Sequence, residues 1–532
     1  MTAFAITQSC CSDASCVSVC PVNCIHPAPG EPDFGLTDML YIDPRSCIGC
    51  GACADACPVD AIFPVDALLR GAAAEYVDLN RAHFTDAEPQ DDWDEPVFPA
   101  TLAPHATGLR VAIVGTGPAA SYAAAALCTT GAEVTMIDRL PVPGGLIRFG
   151  VAPDHQSTKA IASRFATVLR NPRLDLVLDL EVGTHVSHDD LLEHHDAVVY
   201  AVGAAADRRL DVPGEDLVGS LPARTFVGWY NAHPEVAADA VDLGPRAQGR
   251  AVIIGNGNVA LDMARILLSD ADGPQGLATT DIADHALVAL RQGSVSEVVL
   301  VARRGPDAAA YSLSELRPLL AREDVEVVID GGPDVAAAIA GAEAGSKTAA
   351  LRGVPVSSVD WSVSPDPARR RLVLRFDSTV DRLEAGSDAG DRVGAVVLDA
   401  GAARVPTGLV LRSVGYRSEP LAGLPFDDVI HTVPHEQGRV IDPSWGEPVP
   451  ASYVVGWIKR GPRGGIGSNR ADAAETVAAL VEDANERRIT TGRGSSRSFR
   501  RLVRERRSEP LSRPRVVKLA TLEDLVGTAR GR

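Results

Sequence analysis

The feature that most constrains this chain is a run of cysteines near its N-terminus, Cys47-x2-Cys50-x2-Cys53-x3-Cys57, followed by Pro58. This spacing is typical of iron–sulfur proteins, because three thiolates on one tight loop can bind one [4Fe–4S] cluster while the fourth turns to a second site. Short apolar stretches at 38–43 and 61–63 flank the run and predict strands. Residues 1–70 are therefore predicted to form a small α+β domain around iron–sulfur clusters.

An earlier and imperfect copy of the run places Cys10, Asp13, Cys16 and Cys20 at the same spacing. The trailing cysteine of each run is expected to cross to the other cluster. One [4Fe–4S] cluster is therefore predicted at Cys20, Cys47, Cys50 and Cys53. The first cluster stays open between two forms, because Asp13 stands where a thiolate is expected. It is either a [4Fe–4S] cluster with Asp13 as an oxygen ligand, or a [3Fe–4S] cluster held by Cys10 (or Cys11), Cys16 and Cys57. Cys11 and Cys24 are predicted to be free thiols packed near the clusters.

Length and charge limit the remaining possibilities. A chain of 532 residues predicts three or four domains. Its net charge of −19 argues against nucleic-acid and anionic-membrane partners. The N-terminus lacks the pattern of a secretion signal, so the cysteines are expected to bind metal in a reducing cytoplasm. Prolines and acids over 71–107 predict an extended linker, and residues 486–532 predict a basic C-terminal tail that is disordered by default.

A first dinucleotide-binding pattern begins with the buried strand predicted at 109–114. A glycine turn, an alanine-rich helix and a second strand ending at Asp138 follow it. The turn residues expected to bind the cofactor are Gly115, Gly117, Pro118, Ala119 and Ala120. Because Asp138 can accept hydrogen bonds from ribose hydroxyls and disfavours an added phosphate, this pattern and the backbone-rich loop after it predict FAD. The FAD domain is placed at 108–206 and 406–485.

A second pattern starts at the strand predicted over 250–254. Its turn residues are Asn256, Gly257, Asn258 and Val259. The next strand ends at Arg303 and Arg304, where the first pattern has Asp138. Two guanidinium groups fit the 2′-phosphate of NADP(H), because each presents paired planar donors. The NADP domain is placed at 207–405.

With these motifs in place, residues 108–480 resemble ferredoxin–NADP⁺ reductases of the adrenodoxin-reductase type. The specific stretches are Gly144 to His155, Gly255 to Asp262 and Gly456 to Pro462. With the cysteine runs, the whole chain resembles actinobacterial fusions of a bacterial two-cluster or seven-iron ferredoxin to such a reductase. The fold class is therefore predicted as multi-domain, with an N-terminal α+β ferredoxin-like domain followed by two α/β Rossmann-like domains.

The resemblance also implies site residues. It implies FAD contacts at Asp138, Leu146, Val182, Trp457 and the backbone of Gly464, Gly465 and Ile466. It implies NADP contacts at residues 256–259, Arg303, Arg304, Glu315 and Gly464. Trp457, His155 and Glu315 are the candidate catalytic residues, with Trp457 near the flavin or in the nicotinamide position. By spacing alone Glu315 is a helix-capping acid, and His155 is as well explained by a structural hydrogen bond.

The predicted function is electron transfer between NADPH and iron–sulfur clusters. A hydride passes from NADPH to FAD, and single electrons then pass to the clusters and to an external ferredoxin or another one-electron acceptor, such as a monooxygenase system. Two alternatives stay open. One is an electron-input subunit of a larger complex, similar to the small subunit of glutamate synthase. The other is a redox-sensing iron–sulfur flavoprotein.

Overall fold

A computed structural model describes residues 3–35, 37–70, 73–85, 100–273, 276–343, 346–386, 390–492 and 494–506. Within these ranges the chain forms two compact units. The first holds residues 3–151, 155–206 and 416–506, and the second holds 152–154 and 207–415. No helix in the described ranges is both long and apolar enough to cross a membrane.

The cysteine-rich head consists of short strands and helices: β1 Phe4–Ile6, β2 Ile25–His26, β3 Tyr41–Ile42, α1 Ala52–Ala56, β4 Ile62–Pro64, α2 Val65–Leu68 and α3 Glu75–His83. Strands β1 and β4 pair antiparallel, as do β2 and β3. The buried Asn80 of α3 joins the two pairs, because its side chain accepts hydrogen bonds from the amides of Ile6 and Ile42. The predicted α+β head is thus present, and a third helix completes it.

That helix differs from the extended linker predicted over 71–107. Residues 75–83 are helical because Tyr76, Val77 and Asn80 bury one face against the head. The acidic and proline-rich part of the predicted linker, residues 86–99, lies outside the described residues. At the far end, the Asn485 side chain accepts a hydrogen bond from the Ala103 amide.

The first nucleotide fold follows along the chain as β5 Arg110–Val114, α4 Pro118–Thr130, β6 Glu133–Ile137, α5 Leu146–Phe149, α6 Gln156–Lys159, α7 Ile161–Leu169, β7 Leu174–Val177, α8 His188–His194 and β8 Ala197–Tyr200. Strands β5, β6 and β8 are almost wholly buried, largely apolar runs, as expected for parallel strands covered on both faces. The first glycine turn therefore lies at the carboxyl end of a central strand, where doubly wound sheets bind their ligands.

The second unit contains β9 Ala206–Asp207, β10 Ser220–Pro222, α9 Ala223–Tyr230, β11 Arg250–Ile254, α10 Asn258–Leu267, α11 Asp284–Gln292, β12 Glu297–Val301, α12 Leu313–Leu320, β13 Val325–Asp330, α13 Pro333–Ala340, β14 Val356–Ser357, β15 Arg370–Arg375, β16 Val380–Ala385, β17 Val393–Leu398, β18 Ala403–Pro406 and β19 Leu409–Arg412, where β9 begins in the first unit. Its main sheet is parallel, in the order β10-β19-β11-β12-β15-β13-β14. Because β19 pairs with β10 and β11, this domain extends to residue 415 and not to the predicted 405.

The chain then returns to the first unit with β20 Tyr416–Arg417, β21 His435–Glu436, β22 Arg439–Asp442, β23 Glu447–Val454, α14 Trp457–Arg460, α15 Ser468–Asn485 and α16 Ser496–Arg506. Strand β23 pairs parallel with β8, so the first sheet has the order β21-β22-β23-β8-β5-β6-β7.

Helix α16 corrects the prediction of a disordered tail for residues 496–506. Phe499 and Val503 bury one face of this helix, and the ring of Phe499 meets that of the buried His195 edge-on at 4.8 Å. Residues 507–532 of the predicted tail lie outside the described residues.

Candidate functional site

The first glycine turn is shaped by close approaches that exclude side chains. Gly115 has φ +112°, and a Cβ there would lie 2.5 Å from the carbonyl oxygen of Ala201. A Cβ on Gly145 would lie 2.8 Å from Cα of Gly117, so the loop that carries Leu146 lies against the turn. Pro118, Ala119 and Ala120 form the first turn of α4. The amides at this helix end and the glycine backbone provide a cradle that fits a pyrophosphate.

Asp138 lies directly after β6, next to this turn. Its carboxylate accepts hydrogen bonds from the Thr116 hydroxyl at 2.5 Å and from the Leu140 amide at 2.9 Å. Burial raises the pKa of Asp138, and the hydrogen bond from Thr116 opposes that rise. The amide of Leu180 bonds the Asp138 carbonyl, which brings the segment with the half-buried Val182 to the same place. The predicted FAD residues Asp138 and Val182 thus lie on adjoining segments.

Trp457 is placed by a glycine that no other residue could replace. Gly456 has φ +82°, and a Cβ there would lie 2.6 Å from the Cβ of Ala119 on α4. The Trp457 indole stacks on Tyr416 with ring centroids 5.9 Å apart, and its N–H donates to the Gly464 carbonyl at 3.4 Å. The residue is half-buried, and Gly464 and Gly465 beside it expose their backbone, while Ile466 is half-buried. These predicted residues form one loop next to the first turn of α4.

The second glycine turn is built in the same way within the second unit. Gly255 has φ +114°, and a Cβ there would overlap the carbonyl oxygen of Ser413. The Asn258 side chain accepts a hydrogen bond from the Ser312 amide at 2.8 Å. Asn256 accepts one at its Oδ1 from Ala310, whereas its buried Nδ2 has no hydrogen-bond partner among the described residues. An unpartnered buried donor at a glycine turn fits a dinucleotide, which carries many acceptor oxygens.

Arg303 and Arg304 follow β12 and are both exposed. Val259 lies in the first turn of α10, which begins at Asn258 directly after Gly257. Glu315 is in the first turn of α12, whose N-terminal residue Ser312 accepts from the Glu315 amide. Its carboxylate lies 3.6 Å from the Arg265 guanidinium. His155 is the N-cap residue immediately before α6 in the first unit, and its carbonyl accepts a hydrogen bond from the Lys159 amide.

None of the ten cysteines is joined to another in a disulfide. Sγ of Cys20 lies 3.4 Å from Sγ of Cys24. The hydrogen bond from the Cys24 thiol lowers the pKa of Cys20 to about 5 and that of Cys47 to about 6. Backbone amides donate to Cys57 at 3.2 Å and to Cys10 at 3.4 Å. Amide bonds to sulfur are a feature of iron–sulfur ligation, so these thiols fit the predicted clusters.

Asp13 is buried, and its carboxylate has protein partners. Its two oxygens accept hydrogen bonds from the Ser15 amide at 3.0 Å and from the Ser15 hydroxyl at 2.5 Å. The Arg164 guanidinium lies 3.3 Å from the same carboxylate. These contacts bear on whether Asp13 can also bind iron.

Comparison with known proteins agrees with the division of the chain into a cysteine-rich head and a nucleotide-binding part. The description "4Fe-4S binding domain" matches residues 40–63, and "Pyridine nucleotide-disulphide oxidoreductase" matches residues 109–305. A probable ferredoxin/ferredoxin–NADP reductase of Mycobacterium tuberculosis is 44% identical over 99% of this chain and 92% of its own length. The chain belongs to this ferredoxin–NADP reductase family. The predicted family, fold class and oxidoreductase function are thereby confirmed.

Two further relatives each match about four fifths of this chain. The mitochondrial NADPH:adrenodoxin oxidoreductase of Arabidopsis thaliana is 35% identical over 80% of this chain and 92% of its own length. The structure of Mycobacterium tuberculosis FprA in complex with NADPH is 39% identical, covers 79% of this chain and 99% of its own, and has a TM-score of 0.65.

Sequence reasoning missed the residue that organises the Trp457 loop of the reductase. Asp472 of α15 accepts hydrogen bonds from the Gly456 amide at 2.5 Å and from the Arg460 guanidinium at 2.8 Å. The buried Lys459 lies 2.7 Å from the same carboxylate. The available signal was an acid at the fifth position of the helix that follows the glycine loop, since α15 begins at Ser468. It is a positioning residue, since it acts through the loop.

Proposed function

We propose that the reductase transfers electrons between NADPH, bound at the second glycine turn, and iron–sulfur clusters in its own head, with FAD bound at the first glycine turn. The observation that carries this assignment is the difference between the ends of β6 and β12. Asp138 is a half-buried carboxylate suited to ribose hydroxyls, whereas Arg303 and Arg304 are exposed guanidiniums suited to a 2′-phosphate. FAD supplies the conversion between two-electron and one-electron chemistry when it is bound.

The chain's own residues bind and orient these cofactors. Trp457 is held by Gly456 and Gly464. It would pack beside a bound flavin or take the place of the nicotinamide until NADPH binds. Leu146, Val182, Gly465 and Ile466 complete the flavin site. Glu315 would contact the nicotinamide side of bound NADP, and His155 would hold or move a proton near bound FAD.

For the head we propose two different clusters. The [4Fe–4S] cluster is held by Cys20, Cys47, Cys50 and Cys53. The other is a [3Fe–4S] cluster held by Cys10, Cys16 and Cys57. Two contacts support this choice. The Asp13 carboxylate already accepts bonds from Ser15 and faces Arg164, so it is poorly placed to bind a fourth iron. The Ser12 amide donates to the sulfur of Cys10, which favours Cys10 over Cys11.

The final acceptor is proposed to be an external ferredoxin or another one-electron carrier, such as that of a monooxygenase system, in the cytoplasm. The exposed Cys50 and its exposed neighbour Ile48 support a meeting point for such a carrier on the head. Ten cysteines without a disulfide support a reducing compartment.

The proposal is tested by an anaerobic titration of the purified holoprotein with NADPH, followed by visible absorption and EPR. We expect the flavin absorbance to bleach and the EPR of both clusters to change as NADPH is added. Iron and sulfide analysis should give about seven iron atoms per chain, from one three-iron and one four-iron cluster. Eight iron atoms would contradict the three-iron assignment, and a bleached flavin with unchanged clusters would contradict electron transfer to the head.

A further inference from the structure

The first cysteine loop of the head is held against the glycine loop that follows Trp457. The amide of Gly467 donates a hydrogen bond to the carbonyl of Cys11 at 2.8 Å. A Cβ on Gly467 would overlap both the Cys11 carbonyl oxygen and the Asp13 amide nitrogen. Position 467 therefore allows this approach only because it carries no side chain.

Two arginines of the nucleotide fold hold the same turn of the head. Arg470, on α15, donates to the Ser15 hydroxyl at 2.9 Å and to the Asp13 carbonyl at 3.1 Å. Arg164, on α7, donates to the Ser15 hydroxyl at 2.9 Å and faces the Asp13 carboxylate at 3.3 Å. We call Asp13, Ser15, Arg164 and Arg470 the latch. Asp13 and Ser15 are buried, so the arginines satisfy polar atoms that water does not reach.

Apolar packing continues across the same contact. One buried cluster contains Ala14 and Cys16 of the head together with Phe165 and Val477 of the nucleotide fold. The Ser9 and Ser157 hydroxyls add a hydrogen bond of 2.9 Å. A shared core with buried hydrogen bonds is typical of a permanent interface, whereas a transient one is more polar.

The two cysteine sets of the head have different surroundings. In the first set Cys16 is buried and Cys10 and Cys57 are half-buried, and the carbonyl of Cys11, next to Cys10, accepts a hydrogen bond from the glycine loop. In the second set Cys53 is buried but Cys50 is exposed, and the side chain of Ile48, two residues before Cys50, is 47% exposed. The first set thus lies on the nucleotide fold, while part of the second set faces solvent.

We infer that the head is docked permanently on its own nucleotide fold through the latch, so that electrons reach the first cluster before the second and leave at the Cys50 side. This rests on the proposed function and adds the order of the carriers. NADPH loses a hydride and becomes NADP⁺. The two electrons of that hydride leave singly, one for each cluster, and its proton is released.

The docking is tested by a double variant, Arg164→Glu with Arg470→Glu, beside two matched variants. Arg170→Glu reverses a charge at the exposed C-terminal end of α7, outside the latch. Arg164→Lys with Arg470→Lys keeps the charges of the latch. Iron content and circular dichroism of every variant establish that the chain is folded and loaded.

The first readout is hydrogen exchange of the peptides that cover 9–16 and 461–470. Each charge-assisted hydrogen bond that is lost raises the population of the undocked state roughly tenfold, and exchange through that state rises with it. We expect faster exchange of both peptides in the Glu double variant, little change in the Arg170→Glu variant and an intermediate rate in the Lys double variant. Unchanged exchange in a folded Glu double variant would overturn the docking.

The second readout is the order of reduction in the wild type, measured by rapid mixing with NADPH, freezing and EPR. An oxidised three-iron cluster and a reduced four-iron cluster have separate EPR signals, so each can be timed. In the wild type we expect the signal of the first cluster to change before that of the second. In the Glu double variant we expect the reduction of both clusters to slow relative to flavin bleaching. Reduction of the second cluster before the first would overturn the order and leave the proposed function intact. If NADPH reduces neither cluster in the wild type, the proposed function itself fails.

Discussion

The two arginines after β12 give the sharpest prediction of cofactor choice. Replacement of both Arg303 and Arg304 by alanine should weaken the use of NADPH far more than the use of NADH. Both side chains are exposed, and the structure describes no hydrogen bond or ion pair of either guanidinium among the residues it covers. In the wild type they are therefore available to the 2′-phosphate, which NADH lacks.

The size of the effect follows from the bonds that would be lost. A hydrogen bond to a charged group contributes about 1.5–3 kcal/mol, and exposure to solvent favours the lower end of that range. Two such bonds amount to about 3 kcal/mol, which is roughly a 150-fold loss in kcat/KM for NADPH. The value for NADH should change less than about threefold, because NADH has no 2′-phosphate and so no bond to it can be lost.

The assay is steady-state reduction of cytochrome c with each nucleotide. Arg369→Ala removes one positive charge from an exposed position of the same unit and serves as the control for net charge. The Arg303→Lys and Arg304→Lys pair keeps the charge without the planar fork and should fall between wild type and the alanine pair. An equal loss for NADPH and NADH would refute the 2′-phosphate assignment.

Three other outcomes can be measured. Gly255→Ala forces a Cβ onto the Ser413 carbonyl at φ +114° and should destabilise the second unit by about 2–5 kcal/mol in thermal unfolding. In Gly257→Ala the new Cβ would lie 3.8 Å from its nearest neighbouring atom, so the variant should keep its thermal stability while its NADPH binding weakens. An equal loss of thermal stability in the two variants would contradict this reasoning. Burial lowers the pKa of His195 to about 4, so the unfolded chain binds a proton that the folded chain excludes as the pH falls below about 6.5. The free energy of unfolding of the wild type should therefore fall by about 2 kcal/mol between about pH 7.5 and pH 5, whereas that of a His195→Gln variant should not show this fall. Parallel curves of stability against pH for the two proteins would exclude this role of His195. Asn80→Ala leaves two buried strand amides without acceptors and should cost the head about 2–5 kcal/mol, seen as loss of bound iron, whereas the exposed Arg81→Ala on the same helix should bind iron normally.

Several features were predictable from the sequence because they depend on neighbours along the chain. The cysteine spacing determines which thiolates can share one cluster, and the glycine turns need particular backbone angles at Gly115 and Gly255. Both motifs are local, and each was found together with the strand before it and the helix after it. The charges at Asp138 and Arg303 were also readable, because the end of the second strand is a fixed place in this fold.

Local patterns failed at the domain edges. Helix α3 was predicted as part of a linker, because its contribution to the head depends on Asn80 reaching strands 38 and 74 residues away. Helix α16 has a strongly basic sequence, and only the packing of Phe499 against His195 makes it part of the first unit.

By itself the sequence determined the iron–sulfur motif, the two nucleotide folds and the family. The contacts of Asp13 and the packing of the head on the first nucleotide fold were decided only by the tertiary structure. Asp13 fits the spacing of an iron ligand, yet Arg164 and Arg470 reach its turn from 151 and 457 residues away. No periodicity or motif connects residues so far apart, because such contacts are set by how completed elements pack and not by the local preferences of the chain.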